Sequence, residues 1–147
     1  MKTIYTAIID RLSAKVPALK WIDLDTGQLD AAVRPSVAYP AAIISIGITT
    51  GRNITDRHQT CRARIILKLA FNNTPDRTSA GAPDDVRREN LKVYDVIADV
   101  YAALQGFETQ HFNALQRVNQ GKVERKDGIF LYNITFECDF EDTTAEI

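Results

Sequence analysis

Residues 104–142, LQGFETQHFNALQRVNQGKVERKDGIFLYNITFECDFED, decide the fold of this chain. Gly106 supplies a stop after an amphipathic helix, and two strand-like segments follow it, at 112–125 and 128–142. The triplet Lys126-Asp127-Gly128 between them predicts a tight turn. We therefore expect a helix that leads into a long two-stranded ribbon. The segment holds no recognisable catalytic motif, which is typical of a scaffold that presents surfaces.

The last strand is the most strongly patterned part of the chain. Alternation places one set of side chains on one face: Phe130, Tyr132, Ile134, Phe136, Cys138 and Phe140. The other face carries Asn133, Thr135, Glu137 and Asp139. A slip of one residue would turn the aromatic row to water, so the register of this strand is strongly specified.

Two helices are predicted from apolar residues at helical spacing. The first, at 3–16, has a stripe of Ile4, Ile8, Leu12 and Val16 and ends before Pro17. The second begins at Pro83, Asp84 and Asp85, which suit a first helical turn, and runs for about 20 residues to Gly106. Its predicted inner stripe is Val86, Asn90, Val93, Ile97, Val100 and Leu104.

The remaining segments complete an α+β pattern. A short strand is predicted at 19–24, an apolar strand from Ala41, and an alternating strand at 60–71, with 51–59 as a hairpin tip. Residues 25–40 are predicted as a loop and residues 72–83 as a mobile loop. We expect one domain over residues 1–147, an antiparallel sheet of about four to five strands with two helices packed on one face.

Composition is that of an ordinary soluble globular protein. The 147 residues are 45% hydrophobic and 25% charged, with a net charge of −1. Asp10 and Arg11 interrupt the first apolar run, so we expect no signal peptide, and no segment is apolar enough for a membrane span. Cytoplasmic synthesis is the expectation, and Cys61 and Cys138 are expected to be buried free thiols.

The sequence predicts no enzyme, metal or cofactor. His58 and His111 belong to no spaced metal motif and are expected in solvated turns or at strand edges. Asp23, Asp25 and Asp30 lack the spacing of a calcium loop. The serines lack a nucleophile elbow, and no glycine-rich phosphate loop is present.

Charge is unevenly distributed. Residues 52–77 hold six basic residues against two acids, a local net of +4, whereas residues 122–147 hold three basic residues against seven acids, a local net of −4. One interpretation is cross-strand pairing, such as Arg64 with Glu137. The other is complementarity between neighbouring copies, or contact with a nucleic-acid backbone. The candidate channel or subunit-interface residues are Arg52, Arg57, Arg62, Arg64, Arg77, Glu137 and Asp139.

The layout as a whole resembles a known family. A short N-terminal helix, Tyr39-Pro40 before the strand AAIISIG, the basic strand RARIILKLAF, a long helix ending LQGF and the ribbon DGIFLYNITFECDFED resemble the tail-terminator or tail-completion (neck) proteins of long-tailed bacteriophages and prophages. The resemblance implies a structural protein, an α+β fold, and a ring of copies, commonly six, at the head-proximal end of the tail. It also implies tail-tube and head-joining partners, loops near passing DNA, and assembly in the host cytoplasm before the protein enters the virion tail.

Two other functions stay open from the residues alone. A small cytoplasmic binding module or enzyme would need a pocket between helices and sheet, lined by convergent polar groups. A sequence-blind DNA-binding protein would depend on the arginines of residues 52–64 and would bind less tightly as salt rises. The segments 51–59 and 72–83 are the predicted contact loops of the assembly role.

Overall fold

A computed structural model of the chain describes residues 1–31, 37–72 and 78–146. Its centre is a five-stranded sheet in the order β1-β2-β3-β5-β4. The strands are β1 (Trp21–Leu24), β2 (Ala41–Thr55), β3 (His58–Phe71), β4 (Gln116–Val123) and β5 (Phe130–Asp142). The α+β class and the strand count are as predicted.

The prediction of a wholly antiparallel sheet was wrong, because β1 pairs with β2 in parallel. Parallel neighbours need a long connection between them. Residues 25–40, predicted simply as a loop, form this connection and include a 3₁₀ turn at Gln28–Asp30. The other three pairings are antiparallel.

Helices α1 (Lys2–Lys15), α2 (Asp84–Asn90) and α3 (Lys92–Leu104) follow the predicted positions, but the predicted second helix is broken at Leu91. The side-chain amide of Asn90 donates to the Val86 carbonyl at 2.9 Å. A side chain that satisfies a helical carbonyl in this way competes with the backbone ladder. Leu91 lies at φ −90° and ψ 0°, and the chain restarts as α3.

The main core lies between the sheet and the helices. We call this side of the sheet the helix-covered face. The predicted stripe of α1 is buried in full, and Ile97, Val100 and Leu104 of α3 pack beside it. From the strands, Ile65, Leu67 and Phe136 are completely buried against them. Residues two apart in β3 and β5 share this face, which confirms the aromatic row as the inner side of β5.

The other side of the sheet, which we call the open face, has a smaller apolar cluster at one end. Leu29, Ala41, Ile43, Ala70, Ile129 and Leu131 are buried there. Arg125 holds this end together, since its guanidinium donates to Asp30 at 2.9 Å and contacts the Leu29 carbonyl and Asp127. The Arg125 hydrogen bond lowers the pKa of Asp127 to about 2. At this end of the sheet, described residues cover both faces.

The connection between β2 and β3 is shorter than predicted. Residues 51–59 were expected to form a hairpin tip, but β2 continues to Thr55 and β3 starts at His58. Only Asp56 and Arg57 lie between the strands, and two register shifts let β2 carry its extra residues as bulges. The contact loop predicted at 51–59 is therefore mostly the paired end of a hairpin.

The segment after α3 also differs from prediction. The strand expected from Phe112 begins only at Gln116. Before it, the Gly106 N–H donates a hydrogen bond to the Leu115 carbonyl, and the Leu115 N–H donates to the Phe107 carbonyl, so Leu115 is bonded to the residues that follow α3. Phe112 is buried and forms an isolated bridge with Phe140. Gly106 has the predicted left-handed conformation, with φ 77°.

Candidate assembly surfaces

The open face carries a ladder of ion pairs on the two central strands. Arg62 lies opposite Asp139, and Arg64 lies opposite Glu137. Arg62 forms a bidentate ion pair with Asp139, in which Nε donates to Oδ1 at 3.0 Å and Nη2 donates to Oδ2 at 3.2 Å. Arg64 directs Nε and Nη2 to Glu137 Oε2 at 3.3 and 3.2 Å. Both pairs form within one copy of the chain, which agrees with the cross-strand interpretation of the charge pattern.

This pairing removes most of the local positive charge expected from the sequence. Besides Arg62 and Arg64, Lys68 pairs with Asp25 at 2.8 Å. The Lys68 hydrogen bond lowers the pKa of that carboxyl below its usual range. Because ion-paired side chains present little net charge to a third partner, the open face is not a continuous basic surface.

Two of the predicted arginines remain near the hairpin turn. Arg52 lies near the end of β2, is exposed and has no acidic partner among the described residues. Arg57 lies in the turn itself, and its Nη1 is 3.5 Å from the Ala145 carbonyl. The predicted contact residue Arg77 lies outside the described residues, as do residues 73–77 of the predicted mobile loop at 72–83. Of the predicted set, the structure brings together Arg62, Arg64, Glu137 and Asp139.

His58 does not occupy a solvated turn; it lies at the end of a strand, the other position that the sequence predicted for it. It is the first residue of β3, and its side chain is 19% exposed. Its Nε2 is 3.3 Å from Glu141 Oε2, and its Nδ1 is 3.5 Å from Glu146 Oε1. Glu146 belongs to a 3₁₀ turn at Thr144–Glu146, so the histidine lies between this turn and the hairpin. His111, by contrast, is exposed in the loop before β4, as predicted.

The two cysteines are free and buried, which confirms the sequence prediction. Burial raises the pKa of the Cys138 thiol to about 11 and also raises that of Cys61. A thiol in this state is a poor nucleophile and a poor metal ligand. Within the described ranges, no group of three or more metal-binding side chains comes together.

A cavity of about 470 Å³ lies beside α2 and α3 at the end of the sheet, where the binding-module alternative would place its pocket. Among its lining residues, Glu89 and Lys92 pair with each other at 2.7 Å on the solvent side. Tyr39 contributes a buried hydroxyl without a hydrogen-bond partner. These groups do not provide a paired acid and base or an activated nucleophile, so they do not support a catalytic function for the cavity.

Both edges of the sheet are accessible. β4 is exposed along most of its length and has no strand on its outer side in the described part of the chain. β1 covers only the first four residues of β2, so no strand of the described ranges pairs with the outer side of β2 from Ser45 onward. The sequence did not reveal this asymmetry, because the partner of β1 could not be predicted. Open edges of this kind leave backbone groups available for pairing with another chain.

Comparison with known proteins identifies the family of the chain. The model of the phage tail terminator protein family matches residues 3–144, so the chain belongs to that family and is a structural protein of the phage tail. No curated protein matches the chain. Among solved structures, a chain from the virion of a native gene transfer agent particle is similar in fold, with a TM-score of 0.54 at 11% identity. The match covers 94% of each chain.

No helix in residues 1–31, 37–72 or 78–146 is long and apolar enough to cross a membrane.

Proposed function

We propose that this protein is the tail terminator or completion subunit of a long-tailed phage or prophage particle. Copies of the chain form a ring at the head-proximal end of the tail, which ends tube growth and joins the tail to the head. The observation that carries the proposal is the family match, which spans nearly the whole chain. The role is structural rather than catalytic, and it needs no cofactor.

The edges of the sheet support a ring. A closed ring needs a heterologous interface, in which one surface of a copy meets a different surface of the next. The sheet has two unlike open edges, β4 on one side and, on the other, the part of β2 that extends past β1. A rigid sheet that carries both edges fixes the angle between successive copies, which is what ring closure requires.

The partners follow from this position. A ring at the end of the tail contacts the tail-tube protein on one side and a head-joining protein on the other. DNA passes through its channel, and Arg52 and Arg57, which have no acidic partner among the described residues, are the proposed phosphate contacts. Assembly takes place in the host cytoplasm, and the finished protein resides in the virion tail. The proposed number of copies is six.

The test is removal of the gene, followed by electron microscopy of the particles. We expect tails of abnormal length and tails without heads. Supplying the intact chain from a plasmid restores normal particles. Tails of normal length that carry heads in the absence of the protein would overturn the proposal.

The DNA contact has a separate test. The variant Arg57→Ala, which lies in the turn outside the paired strands, should assemble normally but bind duplex DNA more weakly than the intact ring at low salt, because each phosphate contact releases counterions. Arg88→Ala, which removes an exposed arginine from α2, is the matched control. Equal binding by all three proteins would remove the DNA contact and leave the assembly role in place.

A further inference from the structure

The outer edge of β2 beyond Ile44 has an unusual composition for an exposed edge. Between Ser45 and Gly51 the sequence SIGITTG contains no charged residue and no proline. Natural edges are commonly protected by charged side chains or proline, since open backbone groups otherwise pair with another chain. Ile48 is 44% exposed here and Ile54 is 53% exposed. This edge therefore has the composition of a strand that receives a partner.

Backbone geometry shows which groups are free to bond. The Ile44 carbonyl points outward, because it accepts a hydrogen bond from Asp25 N–H at 2.8 Å. In an antiparallel pair the N–H and C=O of one residue point the same way, and the direction alternates along the strand. Ile46 and Ile48 therefore also direct their backbone groups away from β3, toward a side where the described chain has no strand.

β4 is the second open edge, and it differs in kind. It has eight residues and carries two cations, Arg117 and Lys122, whereas residues 45–51 of β2 carry none. Arg117 lies 3.9 Å from the ring centre of Tyr101, and Lys122 lies 5.6 Å from that of Phe130, both on the helix-covered face. Pairing of β4 with the β4 of a second copy would bring like charges together, which is unfavourable.

We infer that the outer edge of β2, over residues 46–53, pairs with β4 of a second copy of this chain. The inference deepens the proposed ring, on which it rests, by naming its interface. The two edges are matched in length, at about eight residues each, and they are unlike, so the contact is heterologous. Repetition of the contact joins the sheets of successive copies edge to edge.

Charge agrees with this pairing when the helix-covered faces of the two copies point the same way. Arg52 lies opposite Thr60, which puts it on the open face with the ion-pair ladder. The open face of β4 carries Asn119 and Gly121, which lie opposite Thr135 and Asn133 of β5. Arg52 then meets uncharged side chains, while Arg117 and Lys122 stay on the opposite face from it.

The first experiment maps the contact by cross-linking the full chain. Thr50→Cys places a thiol on β2, and Asn119→Cys places one on β4, both at exposed positions on the open face. The natural cysteines are buried, so the unmodified chain is a matched control. Arg88→Cys on α2 is the control for a thiol away from both edges. Each variant is treated with a short bismaleimide, alone and in equal mixtures.

A β2–β4 contact predicts a cross-linked dimer when Thr50→Cys and Asn119→Cys are mixed and none when either is treated alone or with Arg88→Cys. A dimer from Thr50→Cys alone would show β2–β2 pairing and overturn the inference. Oligomers that form without the mixed product would place the interface elsewhere and leave the ring proposal standing. A chain that stays monomeric at every concentration would overturn both.

The second experiment removes one edge donor. Ile48→Pro deletes an outward N–H without touching the β2–β3 ladder, whereas Ile48→Thr keeps both the N–H and the β-branched shape. Loss of one hydrogen bond should weaken association of copies by about fivefold in Ile48→Pro, measured by sedimentation. Ile48→Thr should associate nearly as the intact chain does. Equal association by both variants, with unchanged circular dichroism, would contradict the pairing.

Discussion

The ion-pair ladder on the open face gives a prediction whose size follows from its geometry. Arg64 is 50% exposed, but Glu137 is only 14% exposed and also lies 3.8 Å from Arg62 Nη1. Exposed ion pairs contribute about 0.2–1 kcal/mol, and a carboxylate that is mostly shielded belongs near the upper end of that range. We therefore expect a coupling free energy of about 1 kcal/mol between Arg64 and Glu137.

A double-mutant cycle measures this coupling. The free energy of unfolding is determined in urea for the intact chain, Arg64→Ala, Glu137→Ala and the double variant, and the sum of the single effects is compared with the double. Arg64→Ala combined with Asp99→Ala, which changes an exposed acid on α3, should show no coupling. In about 1 M salt the Debye length falls to about 3 Å, so the coupling should drop by about half or more. A coupling below about 0.2 kcal/mol at low salt would refute the claim that the chain pairs these charges with each other.

Three further predictions concern the core, the acid limb of stability and the thiols. Phe136→Ala should lower the free energy of unfolding in urea by about 3–5 kcal/mol, because Phe136 is completely buried; a loss below about 1 kcal/mol would contradict the packing. The Lys68 hydrogen bond lowers the pKa of Asp25 in the folded state, so its stabilising contribution is present above the ordinary aspartate pKa of about 3.9 and is lost as pH falls through the folded value. Asp25→Asn should therefore flatten the acid limb of the stability curve measured by urea unfolding, and an unchanged slope would contradict the pair. Cys138, with a pKa of about 11, should react with an aromatic disulfide reagent at pH 8 only as fast as the protein unfolds, whereas immediate labelling of the folded chain would contradict its burial.

Local patterns in the sequence predicted most of the elements. The alternation in β5 predicted its inner face, and the stripe of Ile4, Ile8 and Leu12 predicted the buried side of α1. Such patterns carry over because burial acts on each side chain at its own position. The pair of Arg64 and Glu137, an example given for one of the two interpretations of the charge pattern, is present in the structure.

The errors share a different physical origin, since each depends on partners distant in sequence. Parallel pairing of β1 depends on where the chain returns to the sheet after residues 25–40, and no short sequence motif predicts that position. The end of β2 at Thr55 depends on bulges, and the polar sequence of residues 51–59 gives no sign of them. The contact of His58 with Glu146 joins residues 88 positions apart, so it became visible only in three dimensions. The two unlike sheet edges, on which the assembly proposal depends, belong to this group as well.

The most direct test of the assembly role is the position of the protein in the particle. Cryo-electron microscopy of intact particles, with the chain marked by a bound antibody fragment, measures where its density lies along the tail. We expect one ring of copies at the junction of tail and head in every particle and none elsewhere. Density repeated along the tube, or confined to the end distant from the head, would contradict the proposed function.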